Sequence, residues 1–341
     1  MELSVVIPAG RPGAARDTLD SLRAQTFFPP NGWEVLVVGP HVAGVAMNLP
    51  GAVLRSVVLP RLEFPGCMRN AGATGARGEW LLFVDDDIAL APDFFVGLHA
   101  LIRRAAISGE PPLGAIGPRL PGTAQTLPAR LTDLSNFWSQ QGLCPGRRNW
   151  LYSATLAVPA AAFRTAGGFN PELRIGEDVD LTMRIAYAGY RVCFEPSLVA
   201  WHRHGRDTFG RMWLYFWNNG GAARFFHQHC NYPRCFSVPT AWRRAVHDAR
   251  SNWLLNRDDL PDLSRLLLGV FLNYLLFQLS VEWHHQSNLW RDGQFARLVP
   301  ARPADAFTQQ AFADFTAARR WRGLLRYARA VWLDLRDPPR R

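Results

Sequence analysis

Asp85, Asp86 and Asp87 stand together at the end of an apolar run, Trp80-Leu81-Leu82-Phe83-Val84. Desolvating an ionised carboxylate costs many kcal/mol, so the three cannot stay inside a core and must lie where a strand emerges. In open α/β sheets the carboxyl ends of the strands are where ligands bind. Clustered carboxylates there suit a hard divalent cation, and such a cation suits a phosphate-bearing substrate. The plainer alternative is a solvated acidic turn or a helix N-terminus, where carboxylates complement the helix dipole. The triplet by itself leaves both open.

A second acidic group, Glu177-Asp178, sits in Gly176-Glu177-Asp178-Val179-Asp180-Leu181, just before a helical pattern. Alone it would read as an ordinary N-cap. The preceding Gly167-Gly168-Phe169-Asn170-Pro171-Glu172 makes a concave rim, and a carboxylate held there can act as general base toward a hydroxyl. His227, His229, Cys230 and Cys235 offer imidazole and thiolate ligands, but their spacing matches no closed zinc pattern, and core cysteines with loop histidines are the better reading. Trp138 and the row Trp213, Tyr215, Trp217 have faces that could stack on a sugar, although such rows more often pack.

The elements that must position these groups are legible from periodicity. Leu3–Pro8, Trp33–Val38, Val53–Leu59 and Glu79–Val84 read as strands, and Ala115–Pro118 as a fifth. Helical patterns cover Ala14–Thr26, Pro65–Arg77 and Pro92–Ala106, the last with Phe94, Phe95, Leu98, Leu101 and Ile102 facing inward. This alternation predicts parallel βαβ units. Pro121–Arg148 reads as a loop excursion; Leu151–Val158 as a strand; Ala160–Ala166 as a helical turn; Asp178–Gly189 as an amphipathic helix; Tyr190–Phe194 and Leu198–Trp201 as short strands. From about Thr208 the chain turns aromatic and Arg-rich. Leu266–Trp283 is near the minimum spanning length, but Asn273, Gln278, Ser280 and Glu282 favour a buried or interfacial helix. Arg319 to Arg341 is a basic amphipathic tail, read first as a solvated helix and second as a membrane-surface contact.

The 341 residues suffice for one large domain or two moderate ones, and 48% hydrophobic content excludes global disorder. The net charge of +10 favours an acidic partner, and with no Lys in the chain all 38 basic residues are Arg. Five irregularly spaced cysteines, Cys67, Cys144, Cys193, Cys230 and Cys235, predict a reducing compartment rather than a disulfide framework. Met1–Pro8 lacks the basic and apolar regions of a secretory signal, so the expected location is cytoplasmic, with the inner face of the plasma membrane as an extension if the basic tail docks there.

Three motifs in order resemble the family 2 glycosyltransferases over residues 3 to 205. They are the opening strand Ser4-Val5-Val6-Ile7-Pro8; Cys67-Met68-Arg69-Asn70-Ala71-Gly72 leading to Ala76-Arg77-Gly78-Glu79-Trp80 and Asp85-Asp86-Asp87; and Ala166-Gly167-Gly168-Phe169 followed by Gly176-Glu177-Asp178-Val179-Asp180-Leu181. The resemblance implies an α/β, GT-A type nucleotide-binding mixed sheet flanked by helices. Residues 1–207 would form the catalytic domain, with a nucleotide-sugar half to about 118 and an acceptor half after it, and 208–341 a helical, aromatic- and Arg-rich region for acceptor, membrane-surface or oligomer contact. It implies an inverting, DxD-type enzyme moving a hexosyl or deoxyhexosyl group from a nucleoside-diphosphate sugar, UDP first and dTDP second, to a glycan, lipid-linked or peptide acceptor. By the same resemblance Asp85, Asp87 and His202 hold Mn²⁺ or Mg²⁺, and Asp178 is the base with Glu177 in support. Pro8, Arg11, Arg69, Asn70, Asp85 and Asp86 line the donor site. His204 is the alternative to His202, and Arg203 and Arg206 are either diphosphate clamps or solvated surface residues.

The chain departs from the family pattern in having Val38-Gly39-Pro40-His41 where acidic residues usually grip the nucleotide, and Ala9-Gly10-Arg11 after the first strand. Competing readings are a nucleotidyltransferase, which would release pyrophosphate, and a catalytically inactive relative serving as a binding partner. No helix-turn-helix, zinc-finger or RNA-binding signature supports a nucleic-acid partner.

Overall fold

A computed structural model describes residues 1–108, 110–123, 125–136, 140–143, 145–148, 150–229 and 238–292. The chain divides into two compact units, Met1–Met212 and Trp213–Arg341. In the first unit the elements run β1 (Leu3–Pro8), α1 (Arg16–Arg23), β2 (Trp33–Gly39), β3 (Ala52–Val58), α2 (Pro65–Gly75), β4 (Trp80–Val84), β5 (Ile88–Leu90) and α3 (Phe94–Ala106). They continue with β6 (Leu113–Arg119), α4 (Leu127–Asn136), β7 (Gly146–Arg147), β8 (Thr155–Pro159), α5 (Ala160–Thr165), α6 (Glu177–Tyr187) and β9 (Arg191–His202). The helix α7 (Phe209–His229) leads into the second unit, which contains α8 (Val238–Asn256) and α9 (Pro261–Asp292).

The strands form one mixed sheet in the order β3-β2-β1-β4-β8-β6-β9-β5, with β7 paired to β9. β1 is parallel to β2 and β4, and β2 to β3, which makes the predicted βαβ half. Beyond it the sheet is mixed, as the resemblance implies: β8 runs antiparallel to β4 and β6, β5 antiparallel to β9, and β6 parallel to β9. β1, β2 and β4 are buried on both faces and apolar apart from Ser4 and Glu34, whose side chains bond to each other at 2.7 Å, as strands covered by helices on both sides must be. One core layer gathers Val5, Val35, Leu82, Phe94 and Phe95; the opposite layer gathers Val6, Leu36, Phe83, Phe163 and Phe169.

Other expectations change in detail. β3 is an edge strand with Val53 and Val58 exposed, not a buried one. The excursion after β6 contains a helix, α4, whose Thr132 and Ser135 hydroxyls bond back to the carbonyls of Pro128 and Leu131. The two short strands expected around residues 190–201 are a single strand, β9, continuous through Pro196. Its pairing with β6 absorbs the irregularity as a register shift between Pro118 and Arg119. Ile88-Ala89-Leu90, just past the acidic triplet, is a strand that periodicity alone did not reveal.

In the second unit, Leu266–Trp283 lies within α9. Cys67 and Cys193 are free thiols. Cys144, Cys230, Cys235, Trp138 and the tail from Arg319 lie outside the described residues, as do the side chains of His227 and His229.

Candidate active site

The acidic triplet leaves β4 as a tight turn. Its ends are tied down: the Asp85 amide donates to the Ala154 carbonyl at 2.9 Å, and the Ile88 amide to the Asp85 carbonyl at 3.2 Å. The Thr18 hydroxyl on α1 bonds to the carbonyls of Ile88 (2.7 Å) and Asp85 (3.2 Å). Threonine inside a helix gives no sequence signal for such a latch, and Thr18 went unnoticed for that reason. β5 then pairs with β9 so that Ile88 faces His202, and the Arg203 amide donates to the Asp87 carbonyl at 2.9 Å. That pairing carries a histidine from far along the chain to the triplet, where its Nε2 lies 3.3 Å from Asp87 Oδ2.

Arg69 is the hub of the site. It comes from α2, is buried, and reaches Asp85 Oδ1 at 2.5 Å and Glu177 Oε1 at 2.9 Å. Burial alone would lower its pKa, but the charges of Asp85 and Glu177 outweigh that and raise it, so it remains a cation. The two acidic motifs, distant in sequence, are thus joined through one guanidinium.

The carboxylates divide into different roles. Burial raises the Asp85 pKa; Arg69 opposes the shift and the neighbouring Asp87 charge adds to it. Asp86 is raised by burial and by Asp87, and accepts a 3.3 Å bond from the Gly10 amide. Burial works the same way on Asp87, yet the hydrogen bond and charge of His202, with the charge of Arg206, outweigh it and hold Asp87 below the ordinary carboxylate value. Glu177 is buried and raised, first by desolvation and then by the Asp178 charge. Asp178 is also raised by burial, against bonds from the amides of Ser153 (3.2 Å) and Val179 (2.8 Å). Asp178 is the more exposed residue of the two, whereas Glu177 is sealed behind Arg69.

Among the described residues no three His, Cys, Asp or Glu side chains converge as a ready-made cage for a metal ion. Mg²⁺ and similar ions need none, since they bind through one or two carboxylates with substrate phosphates and water completing the shell. Asp87, held ionised beside His202, fits that mode. Asp85 fits it less well than expected, because Oδ1 is committed to Arg69.

Several expectations for individual residues change. Asn70 was expected in the donor pocket, yet its amide nitrogen donates to the Phe169 carbonyl at 2.7 Å and its oxygen accepts from the Phe169 amide at 2.9 Å. It braces the Gly167-Gly168-Phe169 turn instead. Arg184, which the sequence reading passed over, holds the same turn through the carbonyls of Ala166 and Gly168 while pairing with Asp180 at 2.5 Å. Pro8 is buried at the end of β1, and Arg11 lies exposed where its charge acts on Asp86. Arg203 pairs on the surface with Asp17 at 2.6 Å. His204 is excluded as the alternative metal ligand by its own bonds. Nδ1 accepts from the Arg206 amide at 3.0 Å, so Nε2 carries the proton and donates it to Asp133 at 2.9 Å. Neither nitrogen is left for an ion. Gly39 explains the missing acid after β2: a Cβ there would lie 2.0 Å from the Ala9 carbonyl oxygen.

With this geometry in place, comparison with known proteins is informative. Residues 2–218 match the sequence profile described as glycosyltransferase like family 2. A pre-mycofactocin glycosyltransferase of Mycobacterium tuberculosis is 25% identical over 174 residues, 48% of this chain and 35% of that protein. The succinoglycan biosynthesis protein ExoO of Rhizobium meliloti is 29% identical over 177 residues, 48% of this chain and 50% of that protein. The matched region thus spans half or less of these relatives. The crystal structure of Staphylococcus aureus TarS 1-349 aligns with a TM-score of 0.47 at 18% identity, covering 88% of this chain and 95% of that one. The mannosyltransferase PcManGT from Pyrobaculum calidifontis, in complex with GDP-Man and Mn²⁺, aligns with a TM-score of 0.47 at 17% identity, covering 98% and 87%. The profile match covers well over half of the chain and includes the whole network around Arg69, and on that ground the chain belongs to the glycosyltransferase family 2-like enzymes.

Proposed function

We propose that this enzyme is an inverting, metal-dependent glycosyltransferase that moves a sugar from a nucleoside-diphosphate sugar to an acceptor hydroxyl by single displacement. The observation that carries the reading is that Arg69 pairs with both Asp85 and Glu177, which ties the Asp85–Asp87 turn to the helix start that carries Asp178. One carboxylate set serves the leaving diphosphate and the other the incoming hydroxyl.

Asp87 and His202 would hold Mn²⁺ or Mg²⁺, with the free oxygen of Asp85 as a further ligand. A bound cation of this kind neutralises charge developing on the departing diphosphate. Asp178 takes the proton of the acceptor hydroxyl. The acceptor oxygen bonds to the anomeric carbon as the bond from that carbon to the diphosphate oxygen breaks, and attack from the opposite face inverts the centre. Glu177 and Arg69 orient Asp178 and Asp85 without touching the reacting atoms. Asp86, fixed on the Gly10 amide, faces the donor with Pro8 and Arg11 beside it.

The donor is a UDP-sugar first and a dTDP-sugar second, and the absence of side-chain space at Gly39 means the nucleotide is gripped from elsewhere than in most members. The acceptor is a glycan, lipid-linked or peptide hydroxyl in the cytoplasm, up to the inner face of the plasma membrane. The test is a melting curve with UDP, dTDP or GDP in the presence of Mn²⁺. UDP with Mn²⁺ raises Tm, and Asp87→Ala abolishes the rise; an unchanged shift in that variant removes Asp87 from the site.

A further inference from the structure

The hairpin of α8 and α9 buries Leu263, Val270, Tyr274 and Val281 together with several polar side chains. Its buried seam carries Asn252, Asn256, Asn273, Gln278 and Ser280. These are joined by amide and hydroxyl bonds: Asn252 to the Tyr274 hydroxyl (3.0 Å), Asn256 to Asn252 (2.9 Å) and Gln278 to Asp248 (3.2 Å), with Ser280 donating to the Trp217 carbonyl of α7. Small residues let the helices close up. Ala241, Ala245 and Ala249 recur at every fourth position on the buried side of α8. At Gly220 of α7 a Cβ would come within 2.4 Å of the Phe277 carbonyl.

The outside of the hairpin is apolar. Trp242 is 52% exposed, Leu268 71% and Leu272 50%. The Trp242–Phe271 ring contact at 4.9 Å and the Trp253–Ser264 bond at 3.2 Å place the two helices' outer faces side by side. Helical spacing then sets Val246 with Trp242 on α8, and Leu268 and Leu272 with Phe271 on α9, on one continuous surface. Exposed Arg243, Arg250, Arg257 and Arg265 flank it. Of the nearby carboxylates, Asp248 is turned to Gln278, Asp258 pairs with Arg257 at 3.7 Å, Asp259 sits in the turn between the helices and Asp262 in the first turn of α9.

In water, helices hide apolar stripes and expose polar ones. Small residues and side-chain amides at the seam, with leucines outside, are how helices associate when the surroundings are themselves apolar. We propose that this hairpin docks on an anionic lipid bilayer, lying in the boundary between headgroups and acyl chains. Trp242, Val246, Leu268 and Leu272 enter the apolar layer, and the flanking arginines meet the lipid phosphates. The arginines decide between occupants: a surface that sets four cations around an apolar centre complements a phosphate-covered bilayer, whereas a second copy of this chain would bring the same cations against them.

The hairpin lies on the membrane rather than through it. Asp262–Val281 is long and apolar enough to span by length and composition, with 33% of it buried. Tyr274 and Gln278 within it, however, bond to Asn252 and Asp248 of α8, and α8 carries Arg243, Arg244 and Arg250 mid-helix, each costly in hydrocarbon. The docking stands on these helices alone and not on the transfer reaction.

The test is co-sedimentation of the full chain with vesicles of equal parts phosphatidylcholine and phosphatidylglycerol, against phosphatidylcholine alone. Pelleting with the anionic vesicles is expected, about tenfold or more weaker on neutral ones and weakened by salt. The triple variant W242S/L268S/L272S loses about tenfold or more in vesicle affinity, and R243Q/R250Q roughly thirtyfold. UDP–Mn²⁺ binding by each variant reports whether the catalytic unit is intact. Three results overturn the proposal: no pelleting on either vesicle; undiminished pelleting of the triple variant; or a dimer in solution that the triple variant converts to monomer. Resistance of the bound chain to carbonate extraction overturns the surface placement by showing a span. Absence of UDP–Mn²⁺ binding by the unsubstituted chain, with vesicle binding intact, counts against the transferase reading and leaves the docking standing.

Discussion

Asp178 and Glu177 are neighbours in sequence with unequal access, and that difference sets what each can do. Asp178 is raised by burial but is the more exposed of the two; Glu177 is raised by burial and by Asp178, and locked on Arg69. A base must be deprotonated to accept the hydroxyl proton, so a raised pKa means that activity is lost on acidification at a higher pH than an ordinary carboxylate would give. The acid limb of the kcat/KM profile should therefore lie above the usual carboxylate range. Asp178→Asn should lower kcat by about 10²- to 10⁴-fold while leaving the donor Kd within a factor of a few. Equal loss in donor binding and turnover would reassign Asp178 to the donor side. Arg69 lies on the structural side of the same network. Arg69→Ala leaves buried carboxylates uncompensated and should cost about 3–5 kcal/mol in a denaturant titration. Lys is a poor substitute, lacking the fork that reaches two carboxylates at once.

At the scale of elements, the site depends on where strands end and which strand they meet. β4 delivers the triplet, β5 turns it back, and β9 returns His202 to Asp87. The turn of residues 167–169 is held from two helices, by Asn70 of α2 and Arg184 of α6. Asn70→Asp replaces a donor to the Phe169 carbonyl with a like-charged acceptor, and should lower stability by about 1–3 kcal/mol. Nucleotide affinity should fall less than for Asp87→Ala, and a comparable fall would restore Asn70 to the donor pocket. The close approach of the chain where β1 and β2 end side by side sets a second constraint at Gly39. Restoring a family-like acid there by Gly39→Asp should not improve donor binding, because the carbonyl of Ala9 occupies the space. The variant should melt at a lower temperature than the parent, the usual outcome of overpacking. The strand signals along β1, β2 and β4 were plain in the sequence because helices cover both faces and demand continuous apolar runs. α4 was hidden by the Pro, Gly and polar residues around it, and β5 by its brevity and dependence on β9.

For the whole molecule, the catalytic unit concentrates acidic groups at one cleft of a chain whose net charge is +10. Bringing a divalent cation and a nucleoside diphosphate together there should stabilise the fold by mass action, by about 2.7 kcal/mol at a hundredfold excess over Kd. Adding EDTA should reverse most of the shift. A nucleotide shift insensitive to EDTA would mean that the diphosphate is held by arginines without metal. The placement of the acidic groups was legible in the sequence: three carboxylates ending a buried run have few places to go, and two further carboxylates stand at a helix start that Arg69 joins to them. Family membership was legible too, through the order of three short motifs. What the sequence could not reveal is which groups touch. Arg69 as a bridge, His202 rather than His204 beside Asp87, and Asn70 as a brace all depend on strand order, since only the folded sheet brings β4, β9 and α6 to one edge. The same holds in the second unit. Composition shows that α9 is apolar, but only packing shows that Asn273, Gln278 and Ser280 are buried, because a helix's environment is decided by the face it presents and not by its average content.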